Sequence, residues 1–300
     1  MAPVAAAVLP HPPLLVPELA GAAAAELDPL RAACREALAT VVAAADLTIV
    51  VGDGPVWGVP EPSAPGSFAP YGVDRRVTLP ALTDLDLAAL PARARPTVPA
   101  SGRPAALPDL PPPAGPPDLT ASARLSDWPA PAGLPDLPAP VRLPELPLSL
   151  AVAAHLLAGL DRPPARLSAA TVPTSLGPGA AAAIGRALTA AARNRSAGGG
   201  PVGLVVMADL SACRTERAPG AFRAEAAEFD ASVAEALRTG RPARLLDLDP
   251  ALAADLMVTG RVPLQVLAGA FESEPAAGGR VLYEDAPYGV GYLVALLTAP

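Results

Sequence analysis

Hydrophobic residues occur along this chain in two patterns, short continuous runs and longer stretches in which they recur every three or four positions. The short runs predict buried strands, and the helical spacing predicts amphipathic helices between them. The predicted strands are residues 3–9, 47–51, 165–173 and 202–211, with two more around a turn in 280–297. The predicted helices are residues 28–45, 146–160, 177–194, 224–240, 249–260 and 262–272.

Aspartate before proline marks the start of two of these helices. Asp28 and Asp249, each followed by proline, predict an N-cap and a first helical residue. Gly240 and Gly260 are interpreted as the ends of two helices, because glycine readily adopts the left-handed conformation that commonly follows a last turn.

Strands that alternate with helices predict an α/β protein in three layers, with a mostly parallel central sheet and helices on both faces. The whole chain, residues 1–300, is interpreted as one such domain. A proline-rich insertion with almost no hydrophobic periodicity interrupts it at about residues 91–147. We expect this insertion to be irregular and peripheral, because proline cannot donate to a sheet or sit inside a helix. It is interpreted as extended chain, with a lid or a partner-binding arm as the alternative.

Composition and charge exclude several functions. Every basic residue is arginine, so the chain has no lysine for a Schiff base or a phosphate-binding loop. The net charge is -7 and the arginines are scattered, which argues against nucleic acid as a partner. Two cysteines without CxxC spacing are typical of a reduced, cytoplasmic protein. No apolar run reaches membrane length without a charge, glycine or proline, so we expect no membrane association.

Polar residues stand at the ends of three predicted strands. His11 follows the first strand, Asp53 lies in the turn after the second, and Asp209 is where the run at 202–211 enters a polar turn. In open α/β sheets, ligands bind at the carboxyl ends of the strands. If these strands are parallel, the three side chains converge on one pocket.

Several segments together resemble a known family. They are LPHPPLLVPEL near the start, VVMADLSACRT in the second half, and VTGRVPLQVLAGA followed by DAPYGVGYLVALL at the end. Their order and spacing resemble the LigB-like family, which comprises the catalytic subunits of class III extradiol ring-cleavage dioxygenases and is related to Memo-type proteins. The resemblance covers nearly the whole chain except the insertion. It implies a LigB-like α/β fold and a non-haem Fe(II) oxidoreductase that acts on aromatic diols.

The resemblance also implies which positions hold the iron. In the family, two histidines and a carboxylate bind the metal and leave open positions for substrate and dioxygen. His11 matches the first histidine, but the turn that supplies the second contains only Asp53 as a candidate ligand. The family's acid/base histidine is replaced by Ala212, which leaves Asp209 as the candidate catalytic residue of that turn. Thr259 stands where Memo-type members carry a cysteine.

Each candidate has a plainer interpretation. His11 can cap a strand end through hydrogen bonds, and Asp53 is a common turn residue. Asp209 can bond backbone amides and hold its turn open, or it can supply a third metal ligand, for which Glu272 is a more distant alternative. His155 has apolar neighbours on a predicted helix and is interpreted as structural.

Cys213 is a weak candidate for a nucleophile. Its neighbour Arg214 can lower the thiol pKa, but no partner histidine is evident.

Two functions remain open at this point. The first is an extradiol-type oxidoreductase with a rebuilt set of Fe(II) ligands. The second is an inactive member of the family that binds a small molecule, for which an aromatic one is a candidate, or a partner protein. The lost histidines favour the second, because one histidine and one carboxylate make a weak Fe(II) site. A serine hydrolase is excluded because GxSxG is missing, and the resemblance leaves open a homo-oligomer or a small partner subunit.

Overall fold

The computed structural model describes residues 2–80, 82, 140–195, 200–274 and 276–299. Within these residues the strands are β1 Ala5–Leu9, β2 Leu47–Asp53, β3 Gly58–Pro60, β4 Pro65–Ser67, β5 Arg76–Thr78, β6 Val141–Leu143, β7 Leu167–Val172, β8 Val202–Met207, β9 Gly278–Asp285 and β10 Tyr292–Thr298. The α-helices are α1 Pro17–Ala20, α2 Asp28–Ala44, α3 Leu148–Ala158, α4 Pro178–Arg195, α5 Glu225–Arg238, α6 Pro250–Asp255 and α7 Arg261–Ala270. Short 3-10 helices lie at Pro13–Leu15, Gly21–Leu27, Ala69–Tyr71 and Pro242–Asp247.

The central sheet has eight strands in the order β6-β3-β7-β2-β8-β1-β10-β9. Its middle four strands, β7, β2, β8 and β1, are parallel. The antiparallel hairpin β9–β10 closes the edge beside β1, and β3 pairs antiparallel with β7 at the other edge. The chain is therefore an α/β protein with a mixed, mostly parallel sheet, and β4 and β5 form a separate two-stranded ribbon.

Helices cover both faces of this sheet. Alternate residues of β1 point to opposite faces, so Ala5, Ala7 and Leu9 pack in a core with α2 and α3. Ala6 and Val8 pack in a second core with α4, α5 and α7. This arrangement is compatible with the predicted three layers. No helix in the described part of the chain combines the length and apolar character needed to cross a membrane.

Two predicted helix ends are wrong. Asp28 lies inside the helix, with φ -60 and ψ -40, because the 3-10 helix Gly21–Leu27 leads directly into α2. Gly260 does not end a helix but precedes Arg261, the first residue of α7, since α6 already stops at Asp255. The predicted cap at Asp249 is confirmed, because its side chain accepts from the amides of the second and third residues that follow.

The proline-rich insertion is described only at its end. The interpretation of residues 91–139 as irregular chain lies outside the described residues. At residues 140–147 the chain contains one short strand, since Val141–Leu143 forms β6, which pairs with β3 at the edge of the sheet. A three-residue edge strand needs few backbone donors, which reconciles it with the neighbouring prolines.

Candidate functional site

Three polar side chains meet at the carboxyl edge of the sheet, as the sequence predicted. β1, β8 and β2 are parallel neighbours, so their carboxyl ends open on the same edge. His11 lies beyond the end of β1, Asp209 lies beyond the end of β8, and Asp53 ends β2. Nε2 of His11 lies 3.0 Å from Oδ1 of Asp53 and 3.8 Å from Oδ2 of Asp209. We call these residues the carboxyl-edge triad.

His11 is the enclosed member of the triad. It is 3% exposed, whereas the side chains of Asp53 and Asp209 are 22% and 19% exposed. The amide of His11 donates to Oδ1 of Asp209 at 2.8 Å, so Asp209 contacts both the backbone and the ring. Oδ1 of Asp53 accepts no hydrogen bond from the described residues despite its 3.0 Å distance from the imidazole. That contact is therefore a charge pair without the alignment of a hydrogen bond.

The two carboxylates decide the protonation of His11. Burial by itself lowers the pKa of His11, but the charge of Asp209 and the contact with Asp53 outweigh it and raise the pKa to about 9. Burial raises the pKa of Asp209, and the charge and amide of His11 offset this only in part. Both raised pKa values favour the retention of a proton on His11 or Asp209. The imidazole takes it, because it lies between two carboxylates, and His11 is a cation at neutral pH.

Asp53 is positioned by close packing of α3 against the end of β2. The hydroxyl of Ser149 on α3 donates to the carbonyl oxygen of Asp53 at 2.6 Å. A side chain at Gly52 would overlap Ser149, and a side chain at Gly54 would come within 2.8 Å of Thr171. The glycines on both sides of Asp53 thus allow the helix and the neighbouring strand to approach the turn.

Asp209 is fixed through backbone contacts on both sides. Its carbonyl accepts from the amide of Gly260 at 3.0 Å, and the amide of Leu210 donates to the carbonyl of Gly291 at 3.1 Å. A Cβ at Gly260 would lie 2.6 Å from the Asp209 carbonyl oxygen, so the start of α7 is packed directly against the end of β8. Gly260 serves this close approach rather than a helix end.

Asp230 on α5 holds the loop that follows Asp209, and the sequence interpretation missed it. Its Oδ1 accepts from the amide of Ser211 at 2.9 Å, and its Oδ2 accepts from the Ser211 hydroxyl at 2.7 Å and from Arg214 at 2.9 Å. It is 2% exposed, and burial raises its pKa although these hydrogen bonds act to lower it. The available signal was a carboxylate on the otherwise apolar stripe of α5.

We expect Asp230→Asn to lower the free energy of unfolding by about 1–2 kcal/mol, because the asparagine amide nitrogen cannot accept the bonds of Ser211 and Arg214. Urea unfolding of the variant and the wild type measures this difference. Glu228→Gln is the matched control, since Glu228 is exposed on the same helix and its replacement should change little. Equal stability of the two variants would contradict this role of Asp230.

The triad contains the residues that the resemblance assigns to iron. Within the described residues, no group of three or more His, Cys, Asp or Glu side chains is arranged to hold a metal ion. Nε2 of His11, the atom that faces the carboxylates, is engaged by Asp53 and carries a proton at neutral pH. A metal would have to displace that proton, because a ligating imidazole is neutral.

The structure corrects the predictions for Glu272 and Cys213. Glu272 lies just beyond the C-terminal end of α7, whereas Asp209 packs against Gly260 at the other end of that helix. Glu272 forms an ion pair with Arg186, so it is no third ligand. The prediction that Arg214 lowers the pKa of Cys213 is wrong. The thiol is enclosed, burial raises its pKa, and Arg214 pairs with Asp230 instead.

Within the described residues, neither His155 nor Thr259 forms a hydrogen bond or an ion pair with a side chain of the triad. His155 packs edge-on against Phe68 at 6.4 Å, and burial followed by the charge of Arg75 lowers its pKa. This environment agrees with a structural role. The hydroxyl of Thr259 is buried and unpaired within the described residues, just before α7.

Comparison with known proteins gives a similar fold but no activity. No protein family profile matches this chain, and no curated protein matches it. Among solved structures it is similar to the crystal structure of uncharacterized protein JW3007 from Escherichia coli K12. The two share 14% identity and a TM-score of 0.51 over 99% of this chain and 100% of the other. At this identity the likeness shows a shared fold alone.

Proposed function

We propose that this chain is a LigB-like α/β protein that has lost ring cleavage and binds a small aromatic molecule at the carboxyl-edge triad. The observation that carries the proposal is His11, the one histidine of the site, held as a cation by Asp53 and Asp209. The same position binds iron in the family that the sequence resembles, and there the imidazole must be neutral.

The missing acid/base group also supports loss of catalysis. Ala212 is 8% exposed in the loop after β8, at the position to which the resemblance assigns the family's acid/base histidine. Alanine cannot move a proton, and general acid/base catalysis is typically worth roughly 10²–10⁴-fold in rate. The part of the family's architecture that remains is the binding edge of the sheet, where two partly open carboxylates surround a buried cation.

The alternative is an Fe(II) enzyme with a rebuilt ligand set. The carboxylates of Asp53 and Asp209, which both lie within 4 Å of Nε2 of His11, favour this alternative. For this alternative to hold, ferrous iron must outcompete the proton on His11.

Anaerobic reconstitution with ferrous iron, followed by elemental analysis, separates the two functions. We expect far less than one iron per chain, the same content in His11→Ala, and no ring-opened product from a panel of catechols. Near one iron per chain that disappears in His11→Ala, together with ring-opened product, would restore the enzyme and overturn the proposed loss of catalysis.

Binding is tested separately, by NMR without oxygen. The chain contains two histidines, so the imidazole signals of His11 and His155 can be assigned with single variants. We expect catechol to shift the signal of His11 and not that of His155. If saturating catechol shifts neither signal, the proposed binding function is wrong.

A further inference from the structure

The hairpin β9–β10 brings tyrosines to the same edge of the sheet as the triad. Three of the four tyrosines in the chain, Tyr283, Tyr288 and Tyr292, lie on this hairpin. All three pack with the core that contains α2 and α3. Tyr288 is engaged at the surface, where its hydroxyl donates to Glu26 at 3.0 Å.

Strand register places Tyr292 level with His11. β1 and β10 are antiparallel neighbours in which Ala5 pairs with Thr298 and Val8 pairs with Ala295. Continued for three more positions, the same register sets Tyr292 opposite His11, just past the end of β1. Tyr292 thus lies at the carboxyl edge, one strand away from the triad.

The Tyr292 side chain is enclosed, but its hydroxyl has no partner in the described part of the chain. The residue is 3% exposed, and no described residue hydrogen-bonds to its hydroxyl. That hydroxyl is also not one of the fully buried unpaired atoms, so it is accessible to a ligand although the rest of the side chain is enclosed. Burial raises the pKa of Tyr292, and the charge of Asp209 raises it further, so the phenol lies within electrostatic range of the triad.

We infer that Tyr292 is the fourth polar residue of this site and that its hydroxyl hydrogen-bonds to the hydroxylated aromatic ligand bound at the triad. The inference rests on the proposed binding function and adds to it the residue that selects the ligand. A ligand hydroxyl placed between Asp209 and Tyr292 satisfies both groups, because it donates to the carboxylate and accepts from the phenol.

Tyr292→Phe tests this inference, because it removes the hydroxyl and keeps the ring that packs in the core. Anaerobic catechol titrations followed on the His11 NMR signal give the dissociation constant. We expect about three- to tenfold weaker binding in Tyr292→Phe, the loss of one hydrogen bond. Tyr71→Phe is the matched control, since Tyr71 is 46% exposed and lies in another part of the chain.

A second probe separates the hydroxyl contact from a loss of packing. Toluene has an aromatic ring but no oxygen to accept from the Tyr292 hydroxyl, so wild type and Tyr292→Phe should bind it equally weakly. Unchanged catechol affinity in Tyr292→Phe overturns the inference and leaves the proposed binding function standing. Equal weakening for catechol and toluene also overturns it, because packing alone then explains the effect. Absence of catechol binding in the wild type rejects both.

Discussion

NMR titration of the two histidines should give two widely separated midpoints, with His11 near pH 9 and His155 below its ordinary value of 6.5. His11 is buried and His155 is half-buried, and burial alone lowers a histidine pKa. The difference comes from their charged neighbours. His11 faces two carboxylates, whereas the pKa of His155 is lowered by burial and then by the cation of Arg75. Asp209→Asn and Asp53→Asn should each lower the midpoint of His11.

The same shift predicts how stability depends on pH. The pKa of His11 is about 9 in the folded protein and 6.5 in the unfolded chain, so the folded state binds this proton more tightly. Its contribution to the free energy of unfolding is fully present below pH 6.5 and is lost as the pH rises to about 9. From the size of the pKa difference, that contribution is about 3 kcal/mol.

The comparison with His11→Gln isolates this contribution. Burial raises the pKa of both cysteine thiols, which also costs stability in alkali, but this cost is common to the wild type and the variant. Urea unfolding from pH 6 to pH 10 gives the free energy of unfolding of the wild type and of His11→Gln. The difference between the two should become smaller from pH 6.5 to pH 9. A difference that stays constant, or a His11 midpoint below 6.5, would show that the carboxylates do not overcome burial.

The second large effect concerns the contact between α4 and α7. A Cβ at Gly269 would overlap the backbone of Ala182, and a Cβ at Gly185 would overlap the backbone of Val266. The two helices approach so closely because glycine lies at both sides of the crossing. We expect Gly269→Ala to lower the free energy of unfolding by about 3 kcal/mol, since backbone atoms cannot move aside as a flexible side chain does.

Gly179→Ala is the matched control for this crossing. Gly179 lies near the start of α4, and a Cβ there meets nothing within 4 Å. The replacement should stabilise the protein by up to roughly 1 kcal/mol, because alanine is the better helix former. Chemical denaturation of both variants measures the contrast. Gly269→Ala as stable as the wild type would mean that the helices can separate without cost.

The alternation of apolar runs was enough to predict the main strands and most helices. A buried strand such as β8 is apolar at nearly every position, and a helix such as α5 keeps its spacing of three and four, so local sequence records both. The short strands β3, β4 and β5 contain three residues each and were not predicted. A three-residue strand has no periodicity to detect, and its partner across the sheet is what stabilises it.

For the site, the sequence determined which residues stand at strand ends, and the parallel rule predicted that His11, Asp53 and Asp209 would meet. Their chemical state was decided only by the tertiary structure. The proton on His11 depends on two carboxylates that lie 42 and 198 residues away in the chain. Asp230 and Tyr292 reach the same edge through pairings of α5 and β10 that no local pattern encodes. Charge and register act through space, and those distances exist only once the chain has folded.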